Sequence, residues 1–264
     1  MSRGALVADR YRLEKLIARG SLSEVYRARD IQDGNATLAL KLIPPAAFAG
    51  PGARQHFQRT ATLRMRVRHP SVVRVFDSGE MADGRIYVAM ELVDGEDLRA
   101  RLARTGRIDQ ASALEILGAL CGGLEAAHRA GVVHGDLKPE NVMLPHAGGP
   151  PKMVDFLGAS RVQPDGTIIG TPAYMAPEGL RGDPPDARSD VFSLGVLAFE
   201  MLTGRLPFGR GGAGEVLLQQ ARGVPKLPGV TACLEGAVRS ALATDPDRRP
   251  PSAAAFAQLL DSAR

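Results

Sequence analysis

Short apolar runs separated by turn residues fill the first third of the chain. Runs at 13–17, 25–28, 37–43, 72–76 and 86–92 are rich in Val, Ile, Leu and aromatic residues, which marks them as strands. Asp33-Gly34 leads into the third run and Asp83-Gly84 joins the fourth to the fifth. Asp-Gly between apolar runs predicts hairpins. One helix over 54–67 fits between them, entered from the breaker Gly50-Pro51-Gly52. After Gly95 the pattern changes to helical periodicity. Residues 111–128 and 191–202 predict long apolar-faced helices, and 253–260 a last one. The glycines of 209–214 predict a flexible loop. The expected organisation is a small sheet-rich part, residues 1–93, then a connector at 92–95 and a larger helical part, residues 94–264. This is an α+β chain without internal repeats.

Composition narrows the class. With 264 residues, 44% hydrophobic and 23% charged, the chain has ample material for a buried core. A net charge of +4 with no long basic run gives no footprint for nucleic acid. Cys121 and Cys233 have neither metal-ligand spacing nor a disulfide framework. They are expected as small core residues in a reducing, cytoplasmic setting. Residues 1–10 carry charges and no apolar core, so no signal peptide is expected there. The stretch 191–202 is too short to span a bilayer and contains Glu200, so no membrane anchor is expected in this chain.

The candidate chemistry is that of phosphates. In "IARGSLSEVYRA" a turn between strands holds Gly20, the one remaining glycine of a G-x-G-x-x-G spacing whose outer places are filled by Ala18 and Ser23. Glycine lets backbone N–H groups close over phosphate, but an ordinary hairpin turn also accounts for this stretch. Lys41 stands in mid-strand in "LALKLI", where a phosphate partner would explain a cation among apolar neighbours. In "VVHGDLKPENVML" Asp136 could orient an attacking hydroxyl or take its proton. Lys138 could neutralise a moving phosphoryl group, and Asn141 could hold a metal ion. Asp155 in "KMVDFLGAS" adds a second oxygen ligand suited to Mg²⁺. His-Gly-Asp followed by Asn suits two kinds of phosphotransferase, one acting on proteins and one on small molecules.

The later motifs bear on that choice. "YVAMELVDGEDL", "GTPAYMAPE", "SDVFSLGVLAFEMLTGRLPF" and "ATDPDRRP" resemble, with the stretches above, the eukaryotic-type (Hanks-type) serine/threonine protein kinase domain found in bacteria. The resemblance runs from Tyr11 to about Leu260. Aminoglycoside- and choline-type phosphotransferases share the His-Gly-Asp stretch but lack the Ala-Pro-Glu segment and the Asp190 helix motif. The resemblance implies a two-lobed fold, with a small antiparallel sheet and one helix before a mainly helical lobe. It implies ATP and Mg²⁺ as cofactors and a protein substrate with a Ser or Thr acceptor. Val25, Ala39 and Met143 would sandwich adenine behind Met90, and the backbone of Glu91 and Val93 would pair with its edge. Asp97 would reach the ribose. Thr171 would bridge Asp136 and Lys138, and Arg249 would pair with Glu178.

Four positions depart from the family pattern. The glutamate that pairs with the strand lysine is replaced by Thr60, and residues 34–76 contain no Asp or Glu. That helix is basic instead, with Arg54, Arg59, Arg64, Arg66 and Arg68, a candidate docking face for a partner. The arginine before the catalytic Asp is Gly135. Asp-Phe-Gly reads Asp155-Phe156-Leu157, with its glycine one place late at Gly158. The segment 158–170 is short and includes Thr167, a candidate phosphorylation position. These departures imply slow catalysis, with a nucleotide-binding pseudokinase as the alternative.

Overall fold

The computed structural model describes residues 2–20, 23–48, 52–156, 161–162 and 168–263, without the side chains at 56, 161, 162, 168 and 169. The chain divides into two compact units. The first comprises Met1–Arg68 and Val73–Val93, the second His69–Val72 and Asp94–Arg264.

The first unit forms β1 (Leu6–Val7), β2 (Tyr11–Arg19), β3 (Glu24–Asp30), β4 (Ala36–Ile43), β5 (Val75–Glu80) and β6 (Ile86–Met90), with α1 (Ala53–Arg64) between β4 and β5. The sheet order is β1-β2-β3-β4-β6-β5, and every neighbouring pair is antiparallel. One face is apolar because Tyr11 and Leu13, Tyr26 and Ala28, and Leu38, Leu40 and Leu42 recur at every second position and bury together with Tyr87 and Ala89. Burying each of the large ones contributes roughly 1.5–3 kcal/mol before the entropy of ordering it. The turns at Gly34–Asn35 and Gly84 take left-handed φ of +54°, +59° and +79°, which is why Asp-Gly signals were legible there. β1 was not expected. It is only two residues long and turns into β2 through Ala8 and Asp9, both left-handed without being glycine. α1 ends three residues before the expected end, the chain continuing as a turn through Val67. The expected strand over 72–76 starts late: Val72 pairs instead with Met153 in the second unit. Its apolar run has no alternation to fix the register.

The second unit contains β7 (Gly95–Asp97), α2 (Leu98–Thr105), α3 (Gln110–Arg129), β8 (Val142–Pro145), β9 (Lys152–Met153), β10 (Arg161–Val162), β11 (Ile168–Ile169), α4 (Pro177–Leu180), α5 (Ala187–Thr203), α6 (Ala213–Ala221), α7 (Ala232–Ala241) and α8 (Ala253–Asp261). α5 is its axis. Every residue from Ser189 to Leu202 is buried, as expected for a helix apolar all round. The helix is surrounded by α3, α7 and α8. Its start is fixed by a capping box, with Asp186 accepting from the Ser189 N–H and Ser189 Oγ accepting from the Asp186 N–H. Asp97, Asp109, Thr231 and Ser252 cap α2, α3, α7 and α8 in the same way at one end. α2, α6 and α7 went unforeseen, and α6 starts inside the glycine stretch expected as loop. Cys121 lies in the core and burial pushes its thiol up to about 12. Cys233 does not: it is exposed, because the inward stripe of α7 is Leu234, Ala237, Val238 and Ala241. Among the described residues, no helix is long and apolar enough to cross a membrane.

Candidate active site

In the first unit, strand register gathers the expected nucleotide residues on the face opposite the apolar cluster. Val25 is paired with Lys41 across β3 and β4, Lys41 with Val88, and Ala39 with Met90. Directly paired residues share a face, so Val25, Ala39, Lys41, Val88 and Met90 form one surface. Lys41 is 7% exposed and Ala39 4%. Beyond β6, the Glu91 N–H donates to the Arg74 carbonyl at 2.8 Å. Val93 follows, half-buried. Gly20 N–H donates to Ser23 O at 2.8 Å. A Cβ at Gly20 would meet its nearest atom, Ser23 Oγ, at 3.4 Å. Neither crowding nor a left-handed φ demands glycine there.

In the second unit, the loop after α3 is built around Asp190 of α5. One Asp190 oxygen accepts from His134 N–H at 2.8 Å and lies 2.7 Å from His128 Nε2, and the other accepts from Gly135 N–H at 2.8 Å. Gly135 stands at φ +71°, a conformation glycine adopts freely. The fully buried His134 ring lies 4.3 Å from that of Phe156. Asp136 follows, and Lys138 Nζ donates to its Oδ2 at 2.7 Å and to Thr171 Oγ1 at 3.2 Å. Of the bridge expected from Thr171, the bond to Lys138 is present, and Lys138 in turn links Thr171 to Asp136. Pro139 then starts a 3₁₀ turn that ends at Asn141. Asn141 Nδ2 donates to the Asp136 carbonyl at 2.8 Å and to Oδ2 at 3.3 Å. With its NH₂ so engaged, its amide oxygen is the group left for a cation. Val154 N–H donates to the Asn141 carbonyl at 2.9 Å, extending the β8–β9 pairing to the step before Asp155. Asp155 adopts φ +61°. Met143 lies in β8, paired with Lys152 and Asp97. Asp97 accepts from Ala100 N–H through Oδ1 at 2.8 Å, so helix capping uses one of its two oxygens. Leu157, Gly158 and Thr167 lie outside the described residues.

Two further constellations surround this loop. Arg249 donates to both Glu178 oxygens, at 2.7 and 2.8 Å, as the resemblance implied. Ser189 Oγ adds a bond to Glu178 at 2.8 Å. Burial pushes the Glu178 carboxyl up, but the bonds from Arg249 outweigh it and hold the group below the usual carboxylate range. The other constellation was missed in the sequence. Arg99 Nη1 donates to Glu200 at 2.7 Å, its Nε to Glu140 at 2.9 Å, and Tyr174 OH bonds to both Arg99 and Glu200. Burial opposes the Arg99 charge, yet Glu200 and Glu140 hold its guanidinium above the usual arginine value. Thr60 lies half-buried on the ridge of α1 that carries Phe57, Ala61 and Arg64. Of the arginines nearby, Arg54 is paired with Glu80, Arg64 is buried and Arg68 donates to the Met65 and Val67 carbonyls.

The protein kinase domain family matches residues 11–259. A probable serine/threonine-protein kinase PknB of Corynebacterium glutamicum is 39% identical over 77% of this chain and 33% of that protein. Serine/threonine-protein kinase pkn3 of Myxococcus xanthus is 33% identical over 96% of this chain and 50% of its own length. The crystal structure of the Mycobacterium tuberculosis PknI kinase domain superposes with a TM-score of 0.83 at 28% identity, covering 100% of both chains. The chain belongs to the protein kinase domain family, in its eukaryotic-type bacterial branch. It spans about a third to a half of the curated relatives it matches.

Proposed function

We propose that this domain transfers the γ-phosphoryl group of ATP to a serine or threonine hydroxyl of a protein. The observation that carries this reading is the hydrogen-bonded set of Asp136, Lys138, Thr171 and Asn141. Asp136 accepts the hydroxyl proton as the hydroxyl oxygen bonds to the γ-phosphorus and the bond to ADP breaks. Lys138, held by Asp136 and Thr171, supplies positive charge where the transferring oxygens gather it. The donor set suits Mg²⁺ rather than a softer ion: an amide oxygen at Asn141 and a carboxylate at Asp155. When bound, that ion neutralises phosphate charge.

Each nucleotide residue has one role. Val25, Ala39 and Met143 cover the base, and the Glu91 carbonyl and Val93 N–H pair with its edge. The second Asp97 oxygen meets the ribose, while Gly20 and Lys41 serve the phosphates. The test is incubation with labelled ATP, Mg²⁺ and a generic basic protein beside an Asp136→Asn control. Label should reach protein in the wild type and fall by about 10²–10⁴-fold in the variant. No transfer with ATP binding retained would replace this reading with a nucleotide-binding interaction module.

A further inference from the structure

Farther along the strands that carry Val25 and Ala39, the sheet of the first unit sets cations against one another. The β2–β3 register pairs Arg12 directly with Arg29 and Lys15 with Arg27. Like charges placed directly opposite in a sheet destabilise it, so this arrangement calls for a reason. All four share one face, since Arg27 and Arg29 are two residues apart on one strand and the reverse side carries the buried Leu13, Tyr26 and Ala28. Arg12, Lys15 and Arg27 are exposed and Arg29 is half-buried.

A bulge between Leu13 and Lys15 brings one carboxylate to the group. Glu14 accepts from Arg27 Nε at 3.0 Å and from Arg29 Nε at 2.5 Å. The bond from Arg29 keeps its carboxyl below the usual range. Both bonds use Nε. The Nη atoms of Arg27 are left without a protein acceptor among the described residues, and Arg29 spends Nη1 on the Asn35 carbonyl at 3.3 Å. Arg12 and Lys15 have no hydrogen-bond or ion-pair partner among the described residues. Four cations against one carboxylate leave a surplus of three positive charges.

We propose that this face docks an extended acidic polypeptide segment. Residues i and i+2 of an extended chain are about 6.6–6.8 Å apart, the spacing that β3 gives Arg27 and Arg29. Carboxylates at alternate positions of a peptide therefore meet the two guanidiniums in turn, each able to bond in a paired, forked geometry. Arg12 and Lys15 lie one strand spacing away, about 4.8 Å, and take the flanking charges. Glu14 fixes both guanidiniums in advance, so less side-chain freedom is lost on docking. None of Arg12, Glu14, Lys15, Arg27, Arg29 and Thr37 is aromatic, so the group offers no aromatic platform for the bases of a nucleic acid. Arg29 is four residues along β3 from Val25, about 13 Å, while Arg27 is paired directly with Ala39, so a docked segment runs up to the border of the nucleotide residues on the same face.

The test is fluorescence anisotropy at about 0.15 M salt. The probe is a labelled ten-residue peptide alternating Glu and Ser, compared with a peptide of the same composition whose glutamates form one block. The alternating peptide should bind more tightly. Arg27→Ala combined with Arg29→Ala should weaken it at least about tenfold. Glu14→Gln should weaken it too, although it raises the positive charge, because the guanidiniums lose their support. Unchanged binding by the double variant overturns the proposal. So does tighter binding by Glu14→Gln, the mark of unspecific attraction, or equal or better binding of an oligothymidylate of the same charge.

Discussion

Replacing Arg249 by leucine removes both bonds to Glu178 and those to the carbonyls of Ala243, Arg188 and Thr244 at 2.8, 3.1 and 3.3 Å. It also removes a guanidinium that stacks 4.9 Å above the Phe192 ring. The Arg249 side chain is 0% exposed and that of Glu178 12%, so the change strands a carboxylate away from water. Breaking a buried pair from one side costs about 3–5 kcal/mol, which consumes much of the 5–15 kcal/mol typical of a domain. Urea denaturation of wild type and Arg249→Leu at pH 7 measures it. The pH dependence carries the sign. The folded-state pKa of Glu178 lies below its unfolded value, so the pair's stabilisation is present above about pH 4.3 and is lost as pH falls through the folded value. Without Arg249 the carboxyl gains from protonation instead. The gap between wild type and variant should therefore narrow as pH drops from 7 towards 4. Adding Glu178→Leu to Arg249→Leu should recover part of the loss. A loss below about 1 kcal/mol, or a double variant as unstable as the sum of the two single ones, would refute this reasoning.

Other outcomes follow from individual positions. Lys41→Ala should weaken ATP binding about tenfold or more in calorimetry, since a charge-assisted contact to phosphate is worth about 1.5–3 kcal/mol. Thr60→Glu restores the family's carboxylate and should raise the phosphorylation rate, with a gross attraction to Lys41 on the order of 1–4 kcal/mol before desolvation. A lower rate with melting temperature and ATP affinity intact would show that Lys41 is held in another way. Gly135→Ala places a Cβ at φ +71° and should cost about 1–2 kcal/mol, seen as a lower melting temperature; an unchanged melt would mean that the loop relaxes.

Asp136, Lys138 and Asn141 were legible because a single turn fixes their spacing, and Asp155 because the adjoining strand delivers it. The strands were legible as short apolar runs bounded by turn signals. What escaped has physical causes. α2 reads as a polar stretch, with only Leu98 and Leu102 buried, too few to show a helical period. Arg99, Glu140, Tyr174 and Glu200 lie up to 101 residues apart, and each alone looks like an ordinary surface group. Cys233 was misplaced because composition says what a side chain prefers, while the phase of α7 decides where it points. Asp97 carries a capping duty that its expected role at the ribose did not reveal.

The bonds collected by Asp190 have a consequence for how the molecule exchanges hydrogen with solvent. Amides in loops usually exchange fast, because small local openings expose them. The N–H groups of His134 and Gly135 instead end on a fully buried carboxylate in the middle of the most enclosed helix of the second unit. They should meet deuterium slowly for a loop, since opening them means lifting the chain off Asp190. Measured by that clock, the two residues before Asp136 are tied to the core, and the aspartate stands on a loop anchored to the buried helix rather than on a free one.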